Sequence, residues 1–221
     1  MSLPTPPLLV ITDRRQARRP LEEVAVACFA GGCRWLSLRE KDLASDERCA
    51  LLRRLVVLGR ASGALVGVHE DIEAALAAGA GALHLPEGGS VRAARARLPA
   101  GTLIGLSVHD EAGLHRAAQE QADYVTLSPV FVSASKPEYG PALGVENFAR
   151  LAEAAAVPVL ALGGIADERI KAMIEVGAAG VAVMGAAMAA EDPARAVAGL
   201  VARLAAALAA RRSGGHSAAS A

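Results

Sequence analysis

Aromatic residues are nearly missing from this chain. It has one Trp, two Tyr and three Phe among 221 residues, 3% in all. A core without rings has to be built from Ala, Val, Leu and Ile, and hydrophobic residues still make up 53% of the chain, enough for a sizeable interior at this length. Net charge is missing too. Lys plus Arg total 23 and Asp plus Glu total 23, so there is no basic excess of the kind that serves nucleic acid or an anionic membrane, and neither partner is expected. Cysteine is scarce. Cys28, Cys33 and Cys49 are odd in number and lack CxxC spacing, which argues against a disulfide framework or a zinc site and suits a reducing cytoplasm. All three are expected to act as small apolar side chains. The opening MSLPTPPLLVITD has neither the basic segment nor the long apolar stretch of a signal peptide. The richest apolar run, Gly177 to Ala190, is short for a bilayer and is broken by glycine.

What is present is an alternation. Short β-branched runs predict strands at Leu8–Thr12, Trp35–Arg39, Leu65–Val68, Ala82–Leu85, Leu103–Ser107, Tyr124–Ser128, Pro158–Leu162 and Gly180–Val183. Ala-rich amphipathic runs predict helices at Pro20–Ala30, Ser45–Ser62, Asp71–Ala78, Ser90–Leu98, Asp110–Gln121, Val145–Ala155, Asp167–Val176 and Asp192–Ala210. Ser45, Asp71, Ser90, Asp110, Asp167 and Asp192 are candidate N-caps, and Gly31, Gly79 and Gly177 stand where helices should stop. The strands are nearly continuous apolar runs, as parallel strands buried on both faces must be. Eight strand–helix units predict a single (β/α)8 barrel over residues 1–210, followed by a frayed Ser/Gly/Ala-rich tail at 211–221. An open doubly wound sheet is the competing arrangement, but the first strand–helix turn lacks GxGxxG.

A barrel gathers the carboxyl ends of its strands on one face, so those ends are where chemistry should sit. The sharpest signal there is glycine. An apolar strand ends in Gly163-Gly164, and Met184-Gly185 ends the next. Backbone N–H groups in such turns hold phosphate, and a Cβ would keep the anion away. Arg39 and Lys41 lie two residues apart at a strand end, so extended geometry points both the same way, as a clamp for a second anion. Ser107 and His109 put a hydroxyl and an imidazole at another strand end, where histidine suits acid–base work. His84, flanked by Leu on both sides, reads as a packed, hydrogen-bonded histidine. The long connection from Pro129 to Gly144 carries Ser133, Ser135 and Lys136 and reads as a functional lid.

Taken in order, Leu-Val-Ile-Thr-Asp13, Leu38-Arg39-Glu-Lys41, Ala80-Gly-Ala-Leu-His84-Leu, Gly105-Leu-Ser-Val-His109, Asp123-Tyr-Val-Thr-Leu-Ser-Pro-Val-Phe131, Pro158-Val-Leu-Ala-Leu-Gly-Gly-Ile165 and Gly180-Val-Ala-Val-Met184 resemble the thiamine phosphate synthase/TenI superfamily over roughly Leu8 to Ala190. The resemblance implies a small phosphate-bearing substrate, thiazole phosphate. It would be bound through Arg39, Lys41, Ser107, Ser133, Ser135, Lys136, Gly163, Gly164, Met184 and Gly185, with His109 catalytic. It also implies one of two activities. A synthase joins hydroxymethylpyrimidine diphosphate to thiazole phosphate with Mg²⁺; a TenI-like tautomerase aromatises a thiazole phosphate carboxylate without metal. Where synthases carry Asn-Asp, this chain has His69-Glu70, and a second Mg²⁺-binding Asp is replaced by Gly89. Gln before the Arg-x-Lys pair is Ser37. On that ground the expectation leans to the tautomerase with no metal. The synthase, with Glu70 as Mg²⁺ ligand, is the alternative, and a non-catalytic phosphate binder is a further one. Oligomeric state stays open, because Ala-rich helices serve a second subunit as well as internal packing.

Overall fold

The computed structural model describes residues 2–132 and 141–218, with side chains as far as Ser213. Eight strands alternate with helices in the order β1 Leu8–Ile11, α1 Leu21–Ala30, β2 Trp35–Leu38, α2 Ser45–Ala61, β3 Leu65–His69, α3 Ile72–Ala78, β4 Ala82–Leu85, α4 Val91–Arg97, β5 Leu103–Val108, α5 Glu111–Glu120, β6 Tyr124–Leu127, α6 Gly144–Ala154, β7 Val159–Leu162, α7 Asp167–Glu175, β8 Gly180–Val183, α8 Gly185–Met188 and α9 Pro193–Ala218. Every strand pairs in parallel with the next, and β8 pairs back onto β1, so the sheet closes into the (β/α)8 barrel that the alternation predicts.

Two departures concern the last third. A short helix, α8, stands between β8 and the final helix. Four residues are too few to show a 3.6-residue period, so the apolar run hid it. The final helix continues past Ala210 to Ala218, carried from the Ala-rich stretch before it through Arg211 and Arg212, which are good helix formers, into the Ser/Gly segment. Two caps also shift by one residue. Ala44 and Ala166 hold the N-cap positions of α2 and α7, with Ser45 and Asp167 already helical. Asp71, Ser90 and Asp110 do cap, accepting from the Ala74, Ala93 and Gly113 amides.

Two cores follow from the strand period of two. Outward residues such as Val10, Leu36, Val68 and Leu106 pack under the helices, with Cys28 and Cys33 buried among them. Inward residues fill the barrel: Leu9, Ile11, Trp35, Ala82, Leu103, Tyr124, Leu160 and Ala182. Toward the carboxyl ends, the inward positions turn polar. Two residues beyond Trp35 comes Ser37 and two further Arg39; beyond Leu103 come Gly105 and Ser107; beyond Tyr124 come Thr126 and Ser128. The barrel therefore has an apolar plug at one end and a hydrogen-bonding floor beneath the other. α9 packs on α7, α1 and α8. Arg203 pairs with Asp167 at 2.9 Å, and the Arg211 guanidinium donates to the Ile174 and Ala178 carbonyls.

Candidate active site

A cavity of about 700 Å³ opens at the carboxyl ends of the strands. Its walls include Arg39, Lys41, Ser107, His109, Gly163, Gly164, Met184 and Gly185, so the structure gathers every described site residue of the sequence reading at one mouth. Ser133, Ser135 and Lys136 lie outside the described residues.

The Gly163-Gly164 turn follows β7 with both residues at positive φ, +99° and +64°. A Cβ on Gly163 would sit 2.8 Å from the Pro129 Cα, and one on Gly164 would sit 2.8 Å from the Val132 carbonyl oxygen. The foot of the long loop lies directly on this turn, and the Val130 and Phe131 amides donate to the Leu162 and Gly163 carbonyls at 2.9 and 3.0 Å. Glycine is thus required here by backbone conformation and by loop packing. The amides of Gly163, Gly164, Gly185 and Ala186 donate to no protein acceptor among the described residues. Two belong to the turn after β7 and two to the start of α8, the pairing of loops with which barrels of this kind hold phosphate.

Arg39 and Lys41 extend from β2 and line this cavity and a second one of about 570 Å³ beside it, which is walled further by Arg48, Asp71, Glu73 and Arg97. His69 and Glu70 also face both cavities. Alternation turns Glu40, between the two cations, the other way. Glu40 is 2% exposed. It accepts from the Thr12 hydroxyl at 2.8 Å, from the Arg14 amide at 3.0 Å and from the Arg14 guanidinium at 3.2 Å. Thr12 in turn accepts from the Arg39 amide at 2.9 Å. Arg14 also forks onto Asp42 at 2.6 and 2.8 Å, and that hydrogen bonding holds the Asp42 carboxyl well below the usual carboxylate range. This brace ties the β1–α1 turn to the end of β2 and sets where Arg39 and Lys41 stand. The sequence reading missed it, although the period of two marks Glu40 as facing away from its neighbours.

His84 is a packed histidine, as its apolar neighbours predict. Its Nδ1 lies 3.0 Å from the Tyr124 hydroxyl and its Nε2 2.9 Å from the Ser107 hydroxyl. Burial first, and the Arg39 charge second, push its pKa down to about 3, so it is a neutral hydrogen-bonding post that fixes Ser107 at the cavity floor. His69 leans on it with ring centroids 4.6 Å apart and planes inclined by 44°, and meets Ser37 through Nδ1 at 2.9 Å.

His109 sits at the wall. Its Nδ1 is 2.6 Å from the Ser128 carbonyl oxygen. A carbonyl only accepts, so Nδ1 carries the proton and, in the neutral ring, Nε2 keeps the lone pair. Glu87 stands 3.9 Å from Nε2, within Coulomb range but too far for a hydrogen bond. The ring is therefore oriented as a base. Arg169, which the sequence reading did not single out, also lines the cavity beside Gly164.

Among the described residues no three His, Cys, Asp or Glu side chains cluster as a metal site. Asp71 is committed to capping α3 and to Arg48, whose Nε and Nη2 lie 2.9 and 2.7 Å away. Although burial pushes the Asp71 carboxyl up, the Ala74 amide and Arg48 hold it below its ordinary value. Glu70 forms an ion pair with Lys41 and has a positive φ of 66°. Among the described residues it is the one carboxylate that faces both cavities.

A closed barrel with a glycine-built anion cradle and cationic walls defines a phosphate-binding (β/α)8 enzyme. The chain belongs to the family described as Thiamine monophosphate synthase, whose match spans residues 8–187. A putative thiamine-phosphate synthase of Geobacter sulfurreducens is 40% identical over 197 residues, covering 88% of this chain and 92% of the relative. A thiamine-phosphate synthase of Roseiflexus sp. (strain RS-1) is 35% identical, covering 86% and 82%. The solved thiamine phosphate pyrophosphorylase of Pyrococcus furiosus superposes with a TM-score of 0.82 at 29% identity, covering 91% of this chain and 96% of the other. The protein is thus placed in thiamine biosynthesis. These names carry the synthase rather than the tautomerase toward which the sequence reading leans.

Proposed function

We propose that the chain is a thiamine-phosphate synthase, joining hydroxymethylpyrimidine diphosphate to thiazole phosphate. The observation that carries this reading is the pair of adjoining cavities that share Arg39, Lys41, His69 and Glu70. One has the glycine cradle for a phosphate monoester; the other offers a diphosphate the shared Arg39 and Lys41, while its Arg48 and Arg97 are paired with Asp71 and Glu73 and shape the wall. A tautomerase needs only the first. In the reaction, the thiazole nitrogen forms a bond to the pyrimidine methylene carbon. The carbon–oxygen bond to diphosphate breaks, and diphosphate leaves with the electron pair. Arg39 and Lys41 stand where that negative charge develops, and such preorganised charge is usually the largest single contribution to the rate. Ser107, held by His84, and His109, with its Nε2 lone pair, orient the ring systems between the two anions.

Mg²⁺ is normally held by one or two carboxylates together with substrate phosphates. Glu70 meets the lower end of that requirement, so an ion would come with the diphosphate and be held by Glu70 once Lys41 releases it. When bound, it neutralises charge on the departing diphosphate. The test is direct: both substrates with Mg²⁺, read for thiamine phosphate and diphosphate. No product at saturating Mg²⁺ would refute the reading.

The tautomerase remains the second reading, favoured by one observation. Among the described residues, Glu70 is the single carboxylate common to both cavities, fewer than a metal site built from side chains alone needs. In that reaction His109 moves a proton between the ring carbon and the exocyclic position, with no metal. Aromatisation of the thiazole phosphate carboxylate in the presence of a chelator is the assay that decides for it.

A further inference from the structure

We propose that Arg169 supplies the charge of the phosphate cradle and makes it select a phosphate ester over the corresponding alcohol. The inference rests on the phosphate reading of the glycine turn and names the side chain that completes it. Backbone amides donate hydrogen bonds but carry no net charge, so a dianion seated on them alone gives up part of its hydration without a counter-ion. Of the Lys and Arg side chains described along the cavity wall, Arg39 and Lys41 come from the end of β2, three strands round the barrel from β7. Lys41 is engaged by Glu70. Arg169 instead follows the glycine turn itself, in the first turn of α7.

Its guanidinium is held in place from two directions. Nη1 donates to the Gly164 carbonyl at 2.6 Å, and Cζ lies over the Phe131 ring, 4.3 Å from its centroid. A Cβ on Gly164 would come within 3.0 Å of Nη1, so the cation touches the turn. Among the described residues, the carboxylate paired with it is Glu168, 3.9 Å from Nε and beyond hydrogen-bond range. A guanidinium has five N–H donors. One is used on Gly164, and the fork is fixed before any ligand arrives, so little freedom is lost when it closes on phosphate oxygens.

The experiment titrates inorganic phosphate into the wild type, R169Q and R169K by calorimetry and compares thiazole phosphate with its unphosphorylated alcohol. Gln keeps a donor for the Gly164 carbonyl but loses the charge. The expected result is a loss of about tenfold or more in phosphate affinity for R169Q, a smaller loss for R169K, and unchanged affinity for the alcohol. R169Q should melt like the wild type in phosphate-free buffer. If it melts early, R169K decides: retained phosphate preference supports the proposal and a loss equal to that of R169Q overturns it. Phosphate affinity in R169Q within about twofold of the wild type, or a wild type that binds no phosphate, also overturns it. A wild type whose phosphate binding depends on Arg169 but which forms no thiamine phosphate sinks the synthase reading and leaves this one standing.

Discussion

At the scale of single residues, two histidines of the same barrel end do opposite work because their surroundings differ. His84 is enclosed and stays neutral; His109 is part-exposed, with Nδ1 held by the Ser128 carbonyl and Nε2 3.9 Å from the Glu87 carboxylate. The first difference has a pH signature. Folded, His84 takes a proton only near pH 3, whereas unfolded it takes one near the ordinary histidine value of 6.5. Between these values the unfolded chain binds the extra proton, so stability falls as pH drops, by about 1.4 kcal/mol per pH unit from this group. H84N should therefore show a shallower decline of melting temperature between pH 6.5 and pH 4, whatever its stability at neutral pH; a parallel decline would contradict the assignment. For His109, the expected effect is on turnover. In the tautomerase reaction, where His109 moves the proton, H109A should lose roughly 10²- to 10⁴-fold in rate and keep its affinity for inorganic phosphate, with single-turnover rates and calorimetry read side by side.

At the scale of elements, the site depends on pieces joined across the chain. The brace through Thr12, Arg14 and Glu40 joins the end of β1 to the end of β2. E40Q keeps an acceptor for Thr12 but puts an amide against the Arg14 N–H groups. It should cost about 1–3 kcal/mol in denaturant unfolding and weaken binding of inorganic diphosphate, because Arg39 and Lys41 lose their footing. G163A forces a Cβ toward the Pro129 Cα at positive φ. It should lower stability by more than about 1 kcal/mol and abolish phosphate binding. Much of this layer was legible in the sequence. Strand ends fall within a residue of their predicted places, since β-branched runs flanked by Gly, Asp and Ser leave little freedom of register. The glycine turns and the Arg39/Lys41 pair were visible as local patterns. The Glu40 brace and the role of His84 under Ser107 were not, because each joins residues about 23 to 28 positions apart and no local pattern encodes the partner. Arg169 left a faint trace: a cation in the first turn of a helix, where the dipole favours acids.

At the scale of the whole molecule, two adjoining anion sites predict how ligands combine. If the cradle and the diphosphate cavity are separate, saturating phosphate and saturating diphosphate should each raise the melting temperature, and together their shifts should nearly add. A ligand at 100 times its Kd contributes about 2.7 kcal/mol. Should either ligand erase the shift produced by the other, the two cavities hold one anion between them and the two-substrate reading weakens. The closed ladder from β1 to β8 bears on a different matter. An open sheet ends in rows of unpaired peptide groups that invite a neighbour's strand to zip on, and such borders have to be blunted with charge or proline. Here the ring has no border to guard. An aliphatic chain with so little net charge can therefore stay crowded with its own copies without seeding fibres through its strands, and contact between copies falls to the helical coat and the loops at the barrel's ends.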